Sequence, residues 1–151
     1  MTSRRLHHRI LKTWALCVGG LCTFALPAHA ATIAWKTGVT GSWSLATNWF
    51  PAQVPGPGDV AVITTIGTYD VNINGNVSVN AINLGSNARL KVNSVTLTMT
   101  GGIAVGSSST LELNSGTLSG GSVALNGQLT STGTSNVNSA LTTATTSTIT
   151  I

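Results

Sequence analysis

Beyond residue 30 this chain has neither cysteine nor histidine, since Cys17, Cys22, His7, His8 and His29 all lie before that point. That excludes disulfide stapling. It also excludes Ser/His/Asp and Cys/His nucleophile systems and the usual zinc sites, which need an imidazole or a thiolate. Charge is equally scarce, at 7% of residues. After residue 30, Lys36, Arg89 and Lys91 stand against Asp59, Asp70 and Glu112, so the formal charge there is zero. The basic pI of about 9.7 therefore belongs to the first thirty residues. With no basic patch downstream, neither nucleic acid nor an anionic membrane surface is an expected partner. This inventory predicts a protein that is not an enzyme, with no catalytic residues, no cofactor and no metal site.

The basic residues that do exist are concentrated at the start. Arg4, Arg5, Arg9 and Lys12 precede an almost wholly apolar run over 14–26, and Ala28-His29-Ala30 places small residues at both cleavage positions. This is the order of a secretory signal peptide. The apolar run is shorter than the ~20 residues needed to span a bilayer. Ser3-Arg4-Arg5 hints at twin-arginine export, but His7 and His8 stand where that motif wants apolar residues. Cys22 follows Leu21 rather than the small residue expected before a lipid-modified cysteine. Residues 1–30 are thus read as a signal peptide cleaved after Ala30. The product is expected to be secreted or held at the cell surface, and not transmembrane after cleavage.

No stretch of the remaining chain shows apolar residues at helical spacing, and it reads as all-β. The central zone repeats itself. Leu90-Lys91-Val92-Asn93-Ser94-Val95-Thr96-Leu97 matches Leu111-Glu112-Leu113-Asn114-Ser115-Gly116-Thr117-Leu118 in residue type, and each is followed by a Gly-Gly pair and a short apolar run. Extending the register gives anchors at Val71, Leu90, Leu111 and Leu129, spaced by 19, 21 and 18 residues. Three short strands per period of about twenty residues are what a β-solenoid coil requires. Corners are expected at Asn-Ser, Gly-Gly and Gly-Ser. Residues 63–130 are accordingly read as three to four coils of a parallel β-helix of right-handed type. An antiparallel β-sandwich explains the alternation equally well, but not the ordered return of the same pattern. One coil cannot stand alone, because its few buried aliphatics do not offset the entropy of ordering it. Residues 131–151, rich in Ser and Thr, read as an incomplete coil or a disordered end.

Residues 31–62 are rich in Trp, Pro and Gly, and read as an N-terminal cap. Trp35, Trp43 and Trp49 are large enough to cover the open end of an aliphatic core. Pro55 withholds a ladder donor, and Asp59 is placed to satisfy backbone donors in a turn. The competing reading of Trp35, Trp43 and Trp49 is a platform on which sugar rings stack. The order Trp35, Gly41, Trp43, Asn48-Trp49, Val54-Pro55, Gly58-Asp59 resembles the opening of many bacterial exported β-solenoid proteins, including autotransporter passengers, over residues 35 to about 129. The resemblance implies a cap followed by strand repeats. No translocator barrel or anchoring motif precedes Ile151, which is therefore expected to be a truncation point.

Other constellations are thin. Asp70 and Glu112 lie about two coils apart, roughly 10 Å along a stack, a separation open to a carboxylate pair. Lys91, one coil before Glu112, makes an exposed cross-coil ion pair the simpler reading. Asp70-Val71-Asn72-Ile73-Asn74-Gly75 matches half a calcium loop, but Ala81 stands where the closing Glu belongs; two strands around an Asn-Gly turn are expected instead. Thr96, Thr98 and Thr100 form a short row, read as a solvated strand face. Asn76-Val77-Ser78 is a glycosylation sequon of use only in a eukaryotic secretory route. The expected function is a non-catalytic structural or adhesive module, the N-terminal piece of a longer surface or secreted solenoid, with extracellular glycans or host and cell surfaces as partners. The alternative is a carbohydrate-binding or polysaccharide-processing accessory segment.

Overall fold

The computed structural model describes residues 30–151, so the proposed signal peptide lies outside the described residues up to its last position. Runs in which every second residue is apolar form thirteen short strands in two sheets. Sheet A contains β1 (Thr32–Trp35), β3 (Trp49–Phe50), β4 (Val60–Ile63), β6 (Val77–Leu84), β8 (Thr96–Val105), β10 (Thr117–Leu125) and β12 (Asn136–Thr143). Sheet B contains β2 (Gly41–Ser42), β5 (Tyr69–Ile73), β7 (Ala88–Asn93), β9 (Thr110–Asn114), β11 (Gln128–Thr132) and β13 (Thr148–Thr150). The spatial orders are β3-β1-β4-β6-β8-β10-β12 and β2-β5-β7-β9-β11-β13. Every pairing is parallel except β1 with β3. From β4 onward successive strands thus alternate between sheets while each sheet grows in one direction. This is a β-solenoid of about five turns, and the parallel ladders exclude the sandwich.

The anchors align as the repeat predicts. Val71 pairs with Leu90, Leu90 with Leu111 and Leu111 with Leu129. A second column runs Ile33, Ala61, Ile82, Ile103, Val123, and a third runs Ile63, Leu84, Val105, Leu125. All of these side chains are buried. Most rungs stack aliphatic on aliphatic of similar size, and the bulky Tyr69 meets the small Ala88 on the next rung, which keeps the interior filled at constant rung spacing.

The Gly-Gly pairs are not breaks between strands. Gly101-Gly102 lies within β8 and Gly120-Gly121 within β10, and the register shifts there before pairing resumes. Each long strand of sheet A is therefore folded about its middle, which gives the coil three faces from two continuous ladders. Gly120 has φ +72°, and a Cβ on Gly102 would collide with the Ser122 carbonyl of the next rung. Only glycine meets both demands at this bend.

At the corner between sheets, Asn93 Nδ2 donates to Asn74 Oδ1 at 2.7 Å, Asn114 Nδ2 to Asn93 Oδ1 at 2.8 Å, and Thr132 Oγ1 to Asn114 Oδ1 at 2.6 Å. The following Ser94 and Ser115 take φ of 55° and 54°. An amide carries both a donor and an acceptor, so one asparagine per turn extends this ladder along the axis.

The stack is longer than three to four coils because both flanks join it. β1 and β2, inside the expected cap, pair in parallel with β4 and β5 as a first rung, while β12 and β13 add rungs on β10 and β11. Substituting Leu111→Ala is expected to cost about 2–5 kcal/mol in denaturant unfolding, whereas Thr98→Ala on an outward face costs within about 0.5 kcal/mol. Equal small losses would contradict the column.

Candidate functional site

The two ends of the stack differ. At the N-terminal end the chain leaves the first rung at Trp43, makes a 3-10 turn over Ala46–Asn48 and returns as β3 antiparallel to β1. Three indoles are packed beneath this reversal. Trp49 meets Trp35 edge-on at 4.9 Å and Trp43 at 4.8 Å between ring centroids, and Tyr69 stacks parallel on Trp35 at 6.5 Å. Trp49 Nε1 donates to the Trp43 carbonyl at 2.7 Å and Trp35 Nε1 to the Val39 carbonyl at 3.2 Å. All three indoles are buried. They have no open face for a sugar ring, and the platform reading of Trp35, Trp43 and Trp49 is replaced by one in which the rings fill the end of the core. Pro55 lies in the loop over this end, beside a shallow concavity it shares with Trp43 and the Asn74–Ser78 corner.

Asp59 is the polar counterpart of the indoles. Its Oδ1 accepts from the Ala31 amide at 3.0 Å and its Oδ2 from the Gly56 amide at 2.8 Å. Its own carbonyl accepts from the Asn80 amide of the next turn. One buried carboxyl thus ties the turn after Pro55 to the first residue after the expected cleavage site.

The second constellation lies on the outer face of sheet B. Alternation puts Asp70, Asn72, Arg89, Lys91, Thr110 and Glu112 outward, and the register sets Asp70 beside Arg89 and Lys91 beside Glu112. Arg89 Nε lies 3.2 Å from Asp70 Oδ1, and its NH1 lies 3.1 Å from Glu112 Oε2. Lys91 Nζ lies 3.7 Å from Asp70 Oδ2 and 3.4 Å from Glu112 Oε1. The Arg89/Lys91 rung is thus clamped between two carboxylates, each holding both cations. Burial pushes the Glu112 carboxyl up, but hydrogen bonds from Arg89 and Asn114 and the Lys91 charge outweigh it, so its pKa lies below the usual carboxylate value. A carboxyl held ionised in this way is poorly suited to donate a proton at neutral pH.

Asp70, Arg89 and Glu112 of this quartet line an open trough of about 470 Å³ together with Asn87, Ser108, Gln128 and Thr130, while Lys91 lies outside its lining. Asp70 and Asn72 sit on a straight strand rather than converging as a loop would. Among the described residues there is no group of three or more His, Cys, Asp or Glu that would hold a metal ion. Thr96 and Thr98 of the threonine row pair with Thr117 and Ser119, a row of mixed composition.

Comparison with protein-family models, with curated proteins and with solved structures finds no match for this chain. The site must be judged on its geometry.

Sequence reasoning found the Lys91–Glu112 pair and missed Arg89. The signal was present, since Asp70 and Arg89 each precede an anchor while Lys91 and Glu112 each follow one. The depressed Glu112 pKa makes its pairing stabilising at neutral pH, and that contribution disappears as pH falls through the folded-state value. Glu112→Gln is therefore expected to flatten the loss of stability below about pH 5. At pH 7 it should cost no more than about 1 kcal/mol, because the quartet is partly solvated. Denaturant midpoints measured between pH 7 and pH 3 check both.

Proposed function

We propose that this chain is a non-catalytic structural and adhesive β-solenoid module of an exported protein, secreted or displayed at the cell surface, and that the outer face of sheet B is its contact surface. The observation that carries this reading is the charged quartet on the outer face of sheet B. Four of the six charged residues after residue 30 lie together there, self-neutralised and held by one another. Exposed ion pairs of this kind contribute little to stability, so folding alone gives little reason to gather them.

The chemistry favours a polyhydroxy partner. Alternating guanidinium, ammonium and carboxylate groups offer donors and acceptors side by side, which suits hydroxyls that both donate and accept. A face of zero net charge has no long-range pull on a polyanion. Extracellular glycans, on host or neighbouring cells, are the proposed partners. A strand face without exposed aromatic rings binds each unit weakly, so adhesion depends on many modules acting together.

The far end supports a structural role. Val137, Leu141 and Ile149 stand in the core columns above Leu118, Val123 and Leu129, yet are 38%, 39% and 46% exposed. That rung has the shape to receive another β-coil. The leader and the tryptophan-rich opening, which resembles exported β-solenoid proteins, support the export reading.

Expression of the full chain in a secretion-competent bacterium should yield a product outside the cytoplasm whose first residue is Ala31. Beads coated with it should retain cells or immobilised neutral glycan, with retention lost in an Arg89→Ala, Glu112→Ala double variant. Uncleaved protein in the cytoplasm refutes export. Retention unaffected by the double variant refutes the assigned face, and breakdown of the glycan refutes the non-catalytic role.

A further inference from the structure

Asp59 is 8% exposed, and none of the ion pairs among the described residues involves it. The other two acids after residue 30, Asp70 and Glu112, each have two cationic partners. A carboxylate removed from water without a counter-charge is costly, even when amides donate to it. The nitrogen nearest its Oδ1, at 3.0 Å, is that of Ala31, the residue that becomes the N-terminus if the leader is cut after Ala30. We propose that signal-peptide cleavage supplies the missing counter-ion: the new α-ammonium of Ala31 pairs with Asp59 and locks the first rung of the solenoid. The inference rests on the export reading for the position of the cut.

The step is a peptide hydrolysis, carried out by a host signal peptidase with water as co-reactant. The Ala30 carbonyl carbon takes the water oxygen and becomes a carboxylate. The Ala31 nitrogen leaves with its bonding pair and takes up protons to become the ammonium. A single amide N–H facing Asp59 is thereby replaced by a positive charge with three donors, with no movement of the backbone. Ala31 already packs against the core, and its carbonyl already accepts from the Val60 amide at 2.8 Å, so the ammonium needs no further ordering. Charge-assisted pairs are about twice as strong as neutral hydrogen bonds. Since Asp59 also holds Gly56 and the next turn, the pairing tightens the whole cap. Before the cut Asp59 has only amide donors among the described residues, so the product is the more stable form, a useful asymmetry for a chain that crosses a membrane before it folds.

The test uses protein processed in the cell. The full chain is compared with a variant carrying one glycine inserted after Ala30, which moves the new terminus off Asp59. Each of the two is made with Asp59 intact and again with the substitution Asp59→Asn. Mass spectrometry first fixes each N-terminus, so a cut elsewhere counts against the export reading and not against the pairing. With the terminus at Ala31, the insertion is expected to lower Tm by about 3–8 °C where Asp59 is intact and to have little effect where Asp59→Asn has already removed the charge. Equal losses in both backgrounds, or none in either, overturn the pairing. Should Asp59→Asn fail to fold, the rate at which an amine-directed acylating reagent modifies the α-amine decides. Slow reaction in the processed protein and fast reaction in the insertion variant support the pairing, and equal rates overturn it.

Discussion

In a parallel stack each inner strand satisfies its backbone on the strands above and below, and here that ladder also determines which side chains meet. Once Leu90 lies over Val71, the partners of the other residues in β5 and β7 follow, because side chains alternate and the rise between rungs is constant. On sheet B the aliphatic column, the asparagine ladder and the charged quartet are three results of one register. Shifting a strand by one residue would turn its aliphatics to solvent and its charges into the core. Its energetic penalty is thus felt at several places at once, which makes the pairing specific.

The columns are uniform, so most of what distinguishes this molecule lies where they are interrupted. At the N-terminal end of the described residues stand the antiparallel β3, the 3-10 turn and a loop carrying Pro51, Pro55 and Pro57, which cannot donate ladder hydrogen bonds, and three indoles fill the space beneath. At the bends in sheet A, glycines allow two ladders to form three faces. On sheet B, four charges occupy a surface that otherwise carries short neutral side chains. Each interruption uses a residue type the chain otherwise has little of, or confines to special positions.

Much of this was legible beforehand. Val71, Leu90, Leu111 and Leu129 could be placed in one column because a period near twenty in an alternating pattern leaves few other arrangements. Asn93-Ser94 and Asn114-Ser115 could be read as corners because such pairs tolerate positive φ. The Gly-Gly pairs were harder, since glycine signals a turn whether or not hydrogen bonding resumes after it. The first rung was hidden because β2 is two residues long, too short for alternation to show. The Ala31–Asp59 contact joins residues 28 apart through an amide, and no residue type marks a backbone partner. The use of the indoles depended on burial, which composition bounds but does not fix.

Between Pro57 and Ile151 there is no further proline, and between Glu112 and Ile151 no further charge, so these turns rely on aliphatic columns and backbone ladders alone. The described stack is therefore asymmetric, with indoles and prolines gathered at its first turns and short neutral side chains at its last. From β4 onward the order of stacking follows the order of the chain, so each rung meets a neighbour that was synthesised before it.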